Sequence, residues 1–130
     1  MIKKTVWVID DDPIYQIIVK KNIQKSEMFS SISSFKNGKE AIDDLHTTLE
    51  INGGPPDIIL LDINMPVMDG WEFMEKMGLI SAQITQQISV YIVSSSIAAE
   101  DRNKSQTYSD ILGYLSKPVT IEDLIEIASK

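Results

Sequence analysis

The chain has 130 residues, 43% of them hydrophobic and 24% charged, and carries a formal net charge of −7. That length suits a single domain spanning 1–130, with a core large enough to need no metal or disulfide staple. The absence of cysteine excludes disulfides, thiolate metal sites and cysteine nucleophiles, and the acidic balance argues against direct contact with nucleic acid.

No apolar run approaches the ~20 residues that span a bilayer. The start, MIKKTVWVIDDD, lacks the long apolar region and small-residue cleavage site of a signal peptide. The chain is therefore expected in the cytoplasm, away from the membrane. In chain order, Thr5 to Ile9 is short, apolar and β-branched and predicts a buried strand. Asp12-Pro13 is a helix start, with aspartate as N-cap and proline at the first helical position. Ile14, Ile17, Ile18, the stem of Lys21 and Ile23 give helical spacing to about Lys25. Ser30 to Phe35 reads as a weaker, alternating strand, closed by the turn Asn37-Gly38. Lys39 to Leu49 predicts a helix on Ala41, Ile42, Leu45 and Leu49, and Asn52-Gly53-Gly54-Pro55-Pro56 breaks it.

Asp57 to Leu61, with the run IILL, is the strongest strand signal and ends at Asp62. A loop from Asn64 to Gly70 leads to a helix over Trp71 to Met77, with Trp71, Phe73, Met74 and Met77 as its apolar positions. Ile88 to Val93 is another apolar strand, followed by Ser94-Ser95-Ser96. The stretch from Ile97 to Asp110 is polar, and any helix in it has a thin apolar face. Ile111 to Leu115 is a short strand before Lys117-Pro118. Thr120 and Asp123 form a capping pattern ahead of Ile121, Leu124, Ile125 and Ala128. Five alternations of apolar strand and amphipathic helix predict an α/β fold: a doubly wound five-stranded parallel sheet covered on both faces.

The polar signals share one place. Asp10 to Asp12 follow the first strand, Asp62 the third, Ser94 the fourth and Lys117 the fifth. In a parallel sheet these positions meet at the carboxyl edge, where open α/β sheets bind ligands. Several carboxylates in one cleft repel each other unless some protonate or a cation neutralises them. With no cysteine and one histidine, a hard divalent cation such as Mg2+ suits the donors. A carboxylate can also act as a nucleophile and carry a phosphoryl group, with lysine and hydroxyl partners for its oxygens.

The segments VWVIDDDP, DIILLDINMPVMDG, VSSS and YLSKP, in that order, resemble the motifs of response regulator receiver domains of bacterial two-component signalling. The resemblance covers essentially the whole chain. It implies a flavodoxin-like (βα)5 three-layer sandwich with strand order 2-1-3-4-5. It implies Asp62 as phosphoacceptor, Asp11 and Asp62 as Mg2+ ligands with the backbone carbonyl of Asn64, and Asp10 acting through water. Ser94 then matches the switch hydroxyl, Lys117 the phosphate-pairing lysine before a cis proline bond, and Tyr114 the aromatic switch position. The implied partners are a sensor histidine kinase or histidine phosphotransfer protein and an unnamed downstream protein. Dimerisation on activation is left open. Such a domain is a signalling phosphoacceptor that assists only its own phosphorylation and dephosphorylation.

Plainer roles suit other residues. Asp12 reads as a helix cap, Asp57 as a strand-start residue and Asp69 as a turn residue. His46 reads as solvated on the second helix, and Trp7 and Trp71 as packing. Ser94 has neighbouring serines, so its register could slip by one, and Ser96 with Asn64 flanks the site where the family tunes dephosphorylation. Asp10-x-Asp12 after a strand also resembles haloacid-dehalogenase-type phosphatases, although the further motifs of that family are missing. A receiver-like interaction module that never carries phosphate is the other alternative. The sequence ends with the fifth predicted helix, so the expected output is a protein contact.

Overall fold

The computed structural model describes residues 3–50, 54–80, 87–95 and 98–130, without the side chains of residues 49 and 50. Leu49 as an apolar helix position, the Asn52-Gly53 part of the breaker, Ser96 and Ile97 lie outside what is described. The elements run β1 (Lys4–Ile9), α1 (Pro13–Ser26), β2 (Phe29–Phe35), α2 (Gly38–Glu50), β3 (Ile58–Leu61), α3 (Gly70–Ile80), β4 (Ser89–Ser94), α4 (Ala99–Ser105), β5 (Ile111–Ser116) and α5 (Ile121–Ala128). The strands form one parallel sheet in the order β2-β1-β3-β4-β5, as expected.

Successive strand residues point to opposite faces, and the two cores divide accordingly. Trp7 and Ile9 of β1, Ile59 and Leu61 of β3, and Val90 and Ile92 of β4 pack on the α2 and α3 side, against Ala41, Leu45, Phe73 and Met77. Val6, Val8, Ile58, Leu60, Tyr91 and Val93 pack on the other side, against Tyr15, Val19 and Ile23 of α1 and Leu124 and Ile127 of α5. β1, β3 and β4 are therefore apolar on both faces, which explains the unbroken run IILL.

Helix starts follow the sequence signals. Asp12 Oδ1 accepts the backbone N–H groups of Ile14 and Tyr15. Thr120 and Asp123 form the reciprocal capping box of α5. Asp69 does more than turn the chain. Its side chain accepts from the Glu72 N–H at 2.8 Å, and Glu72 accepts from the Asp69 N–H, so it caps α3. Such caps contribute about 1 kcal/mol each. Asp57 sits where a strand start was expected, and its carboxylate accepts from the N–H of Thr5 at 2.8 Å, joining β3 to β1.

Two expectations need correction. Of the stripe expected on α1 only Ile23 lies on the buried face, which is Tyr15, Val19, Ile23 and Ser26. Ile14, Ile17 and Ile18 are 68%, 58% and 46% exposed. The helix is apolar on two sides, and the i, i+4, i+8 row from Tyr15 is the one that meets the sheet. β2 does not alternate: Phe29, Ile32 and Phe35 are partly buried and the serines between them exposed, as suits an edge strand. The fourth helix spans Ala99–Ser105, with Ser105 its one buried residue and no side-chain cap, in line with the thin apolar face expected there.

Candidate functional site

The acids and the lysine are placed by the sheet itself. Asp10, Asp62 and Lys117 each stand one residue past a strand. Each continues the parallel ladder by one bond: Asp10 N–H to Phe35 O at 3.0 Å, Asp62 N–H to Ile9 O at 2.9 Å and Lys117 N–H to Ser94 O at 2.9 Å. These three residues are thus held by main-chain bonds to neighbouring strands.

Their side chains converge. One carboxylate oxygen from each of Asp10, Asp11 and Asp62 lies within 4.8 Å of the others. Lys117 Nζ is 2.7 Å from Asp10 Oδ2 and 3.9 Å from Asp62 Oδ2. Asp10 and Asp62 are buried and Asp11 is exposed. Asp10 Oδ1 accepts the Asp12 N–H at 2.9 Å. Asp10 Oδ2 has Lys117 as ion-pair partner but no donor in hydrogen-bond geometry among the described residues. The lysine therefore pairs first with Asp10 and only more distantly with Asp62.

Burial and the charge of Asp10 push the Asp62 carboxyl up to about 6 from 3.8, with Asp11 adding to the shift. Lys117 and the Ile63 N–H, which donates to Asp62 Oδ1 at 2.9 Å, oppose it. The carboxylates repel one another more strongly than one lysine can offset. An all-oxygen cluster of this kind fits a hard divalent cation, and Asp10, Asp11 and Asp62 are the side chains present to hold one.

The remaining expected residues fall around this centre. Ser94 is the last residue of β4 and pairs with Ser116, so it stands at the strand end while the exposed Ser95 lies beyond it. Asn64 is exposed in the loop two residues beyond Asp62. Tyr114 projects outward at 44% exposure, with the Arg102 guanidinium 5.0 Å from its ring centroid. The Lys117–Pro118 bond is cis, as the resemblance implied. His46 is exposed, and Trp7 and Trp71 are buried.

Sequence reasoning missed four residues around the site. The Tyr15 ring centroid is 4.5 Å from Lys117 Nζ. The Gln16 side-chain amide donates to the carbonyls of Val8, Asp10 and Phe35, bracing β1 against β2. Gly70 packs so closely that an added Cβ would lie 2.5 Å from the Asp62 carbonyl oxygen. Val67 has φ 69°, and the Met68 N–H donates to Pro66 O at 2.7 Å, which makes a γ-turn in the loop after Asp62. The dipeptide Asp69-Gly70 announced a turn but not the close packing of its glycine. Nothing in the residue types marked Tyr15 or Gln16 apart from their place one turn after the acids.

A doubly wound sheet with an acid cluster and a lysine at its carboxyl edge defines a switch-point binding site of the α/β class. The model of the response regulator receiver domain matches residues 6–129. The chain belongs to that family, a family of signalling phosphoacceptors rather than catalytic enzymes that generally bind Mg2+ at an aspartate cluster. The match leaves no support for the phosphatase alternative. Among solved structures, a two-component response regulator from Cytophaga hutchinsonii superposes with a TM-score of 0.88 at 30% identity, covering 98% of this chain and 96% of that one. One from Legionella pneumophila gives 0.81 at 28%, covering 98% of each. The nitrate/nitrite response regulator protein NarL of Escherichia coli (strain K12) is 32% identical over 122 residues, 94% of this chain and 51% of its own. The chain thus spans about half the length of that relative.

Proposed function

We propose that the chain works as one receiver unit over residues 1–130 and accepts a phosphoryl group on Asp62 from the phosphohistidine of a kinase or phosphotransfer protein. The observation that carries the reading is the meeting of Asp10, Asp11, Asp62 and Lys117 at one sheet edge. An Asp62 carboxylate oxygen forms the new bond to phosphorus as the donor's P–N bond breaks, and the bonding pair stays on the imidazole nitrogen. Lys117 neutralises charge on the phosphoryl oxygens, and Ser94 donates a hydrogen bond to one of them. Asp11, Asp62 and the Asn64 carbonyl would hold Mg2+, with Asp10 acting through water. The ion would supply charge neutralisation for the transferring group.

Exposed Ile14, Ile17 and Ile18 lie on the helix that begins beside Asp11 and give the donor protein an apolar surface near the acceptor. On phosphorylation Ser94 moves toward the phosphoryl group and Tyr114 leaves Arg102 and turns inward, which reshapes the surface of α4, β5 and α5. The output is a contact with a downstream protein, with or without dimerisation, and not with nucleic acid. The cytoplasm suits this role, and no described helix is long and apolar enough to cross a membrane. Incubation with acetyl phosphate and Mg2+ tests the reading. The chain should become labelled, and Asp62→Asn should abolish the label. Undiminished labelling of the variant, or none of the wild type, would reject it, the latter in favour of an interaction module that carries no phosphate.

A further inference from the structure

Lysine carries about 2 kcal/mol of side-chain rotamer entropy, so one ion pair is a weak way to fix its ammonium group. Here Lys117 has a second anchor. Its Nζ stands 4.5 Å from the Tyr15 ring centroid, inside the roughly 6 Å over which a ring face attracts a cation. The ring is itself fixed. Tyr15 is 7% exposed, packs in the core with Val19 and Val119, and has its backbone N–H bound to the Asp12 cap at 3.2 Å.

We propose that Tyr15 is a positioning residue for Lys117, its ring holding the ammonium beside Asp10 and within reach of an anion carried on Asp62. The inference rests on Asp62 being the acceptor. The ring carries the effect, not the hydroxyl. Tyr15 Oη is buried with no hydrogen-bond partner among the described residues. Burial and the charges of Asp10 and Asp62 push its pKa far up, so it stays neutral and brings no charge to the site. An aliphatic side chain could fill the same space in the core but offers no π face. With the ring gone, the ammonium keeps Asp10 at 2.7 Å but samples more positions, and fewer of them suit the phosphoryl oxygens.

The test is the rate of labelling by acetyl phosphate with Mg2+, measured on the full chain for wild type, Tyr15→Phe, Tyr15→Leu, Lys117→Met and the Tyr15→Leu/Lys117→Met double variant. Tyr15→Phe should stay within about two-fold of wild type, and Tyr15→Leu should be slower by about five-fold. In the Lys117→Met background, Tyr15→Leu should cost nothing more, because the two residues act as a unit. A purely structural tyrosine would slow both backgrounds alike, and that result overturns the proposal. So does a Tyr15→Leu protein as fast as wild type, or a Tyr15→Phe protein as slow as Tyr15→Leu. Should Tyr15→Leu fail to fold by circular dichroism, Tyr15→Met takes its place in the same cycle with the same outcomes. A wild-type chain that takes no label overturns the acceptor reading and this inference with it, whereas a labelled wild type with an indifferent Tyr15 overturns this inference alone.

Discussion

Replacing Asp62 by asparagine should stabilise the metal-free protein at neutral pH. The carboxyl is raised from 3.8 to about 6, chiefly by burial and then by Asp10. A group whose pKa is raised on folding favours the folded state in its protonated form. That advantage is complete below about pH 3.8 and is lost as pH rises through about 6. Above pH 7 the ionised group is a net burden of up to about 3 kcal/mol, and solvent at the mouth of the cleft reduces this to about 1–2 kcal/mol. Asparagine removes the charge at nearly constant shape. Its side-chain oxygen can still accept the Ile63 N–H, and Lys117 keeps Asp10 at 2.7 Å.

Urea unfolding in EDTA at pH 3.5, 6.0 and 7.5 provides the assay. The Asp62→Asn substitution should change stability little at pH 3.5 and raise it by about 1–2 kcal/mol at pH 7.5. Saturating Mg2+ should close the gap by stabilising the wild type preferentially. A gain independent of pH, or an Asp62→Asn protein less stable than wild type at pH 7.5, would refute the claim that repulsion and burial strain this carboxylate.

Two backbone features of the loop after Asp62 give further expectations. Gly70→Ala should cost about 2–3 kcal/mol in urea unfolding, because the new Cβ would meet the Asp62 carbonyl oxygen at 2.5 Å and the chain there cannot yield without moving Asp62. Val67→Gly should add about 0.5–1 kcal/mol in the same assay, since an exposed β-branched residue at φ 69° is strained and glycine is not.

Alternation of apolar strands with helices made the sheet legible, and the position of polar residues directly after strands made most of the site legible. Asp10, Asp11, Asp62 and Lys117 meet because parallel strands end on one edge. The face of α1 was not legible. Ile14, Ile17 and Ile18 are as apolar as Tyr15, Val19 and Ile23, and hydropathy cannot choose between two apolar rows when one is left exposed. α4 was hard to read for the opposite reason. With seven residues and one buried side chain, its position owes more to tertiary contacts: the Trp71 indole N–H to Asp101 at 3.2 Å, and Lys104 over the same ring at 5.2 Å. The roles of Tyr15 and Gln16 depend on which strand end or side chain lies opposite, and spacing along the chain does not carry that information.

The same edge that gathers the acids keeps them from relaxing apart. A carboxylate on a loop could swing away from its neighbours, but Asp10 and Asp62 are fixed by main-chain bonds to Phe35 O and Ile9 O, and Gln16 ties β1 to β2 beneath them. Burial and their repulsion therefore both stay in the folded protein, and together they raise the pKa of Asp62. A cation at the cluster lowers this cost directly. A phosphoryl group on Asp62, as proposed, would make Lys117 divide its charge between that group and Asp10, which it contacts at 2.7 Å. Lys117 continues from β5, and its N–H is bonded to Ser94 O at the end of β4, so a shift at the lysine acts on the two strands that flank α4. Of the five helices, α4 has the least buried anchoring among the described residues, and it is the element that such a shift displaces most cheaply.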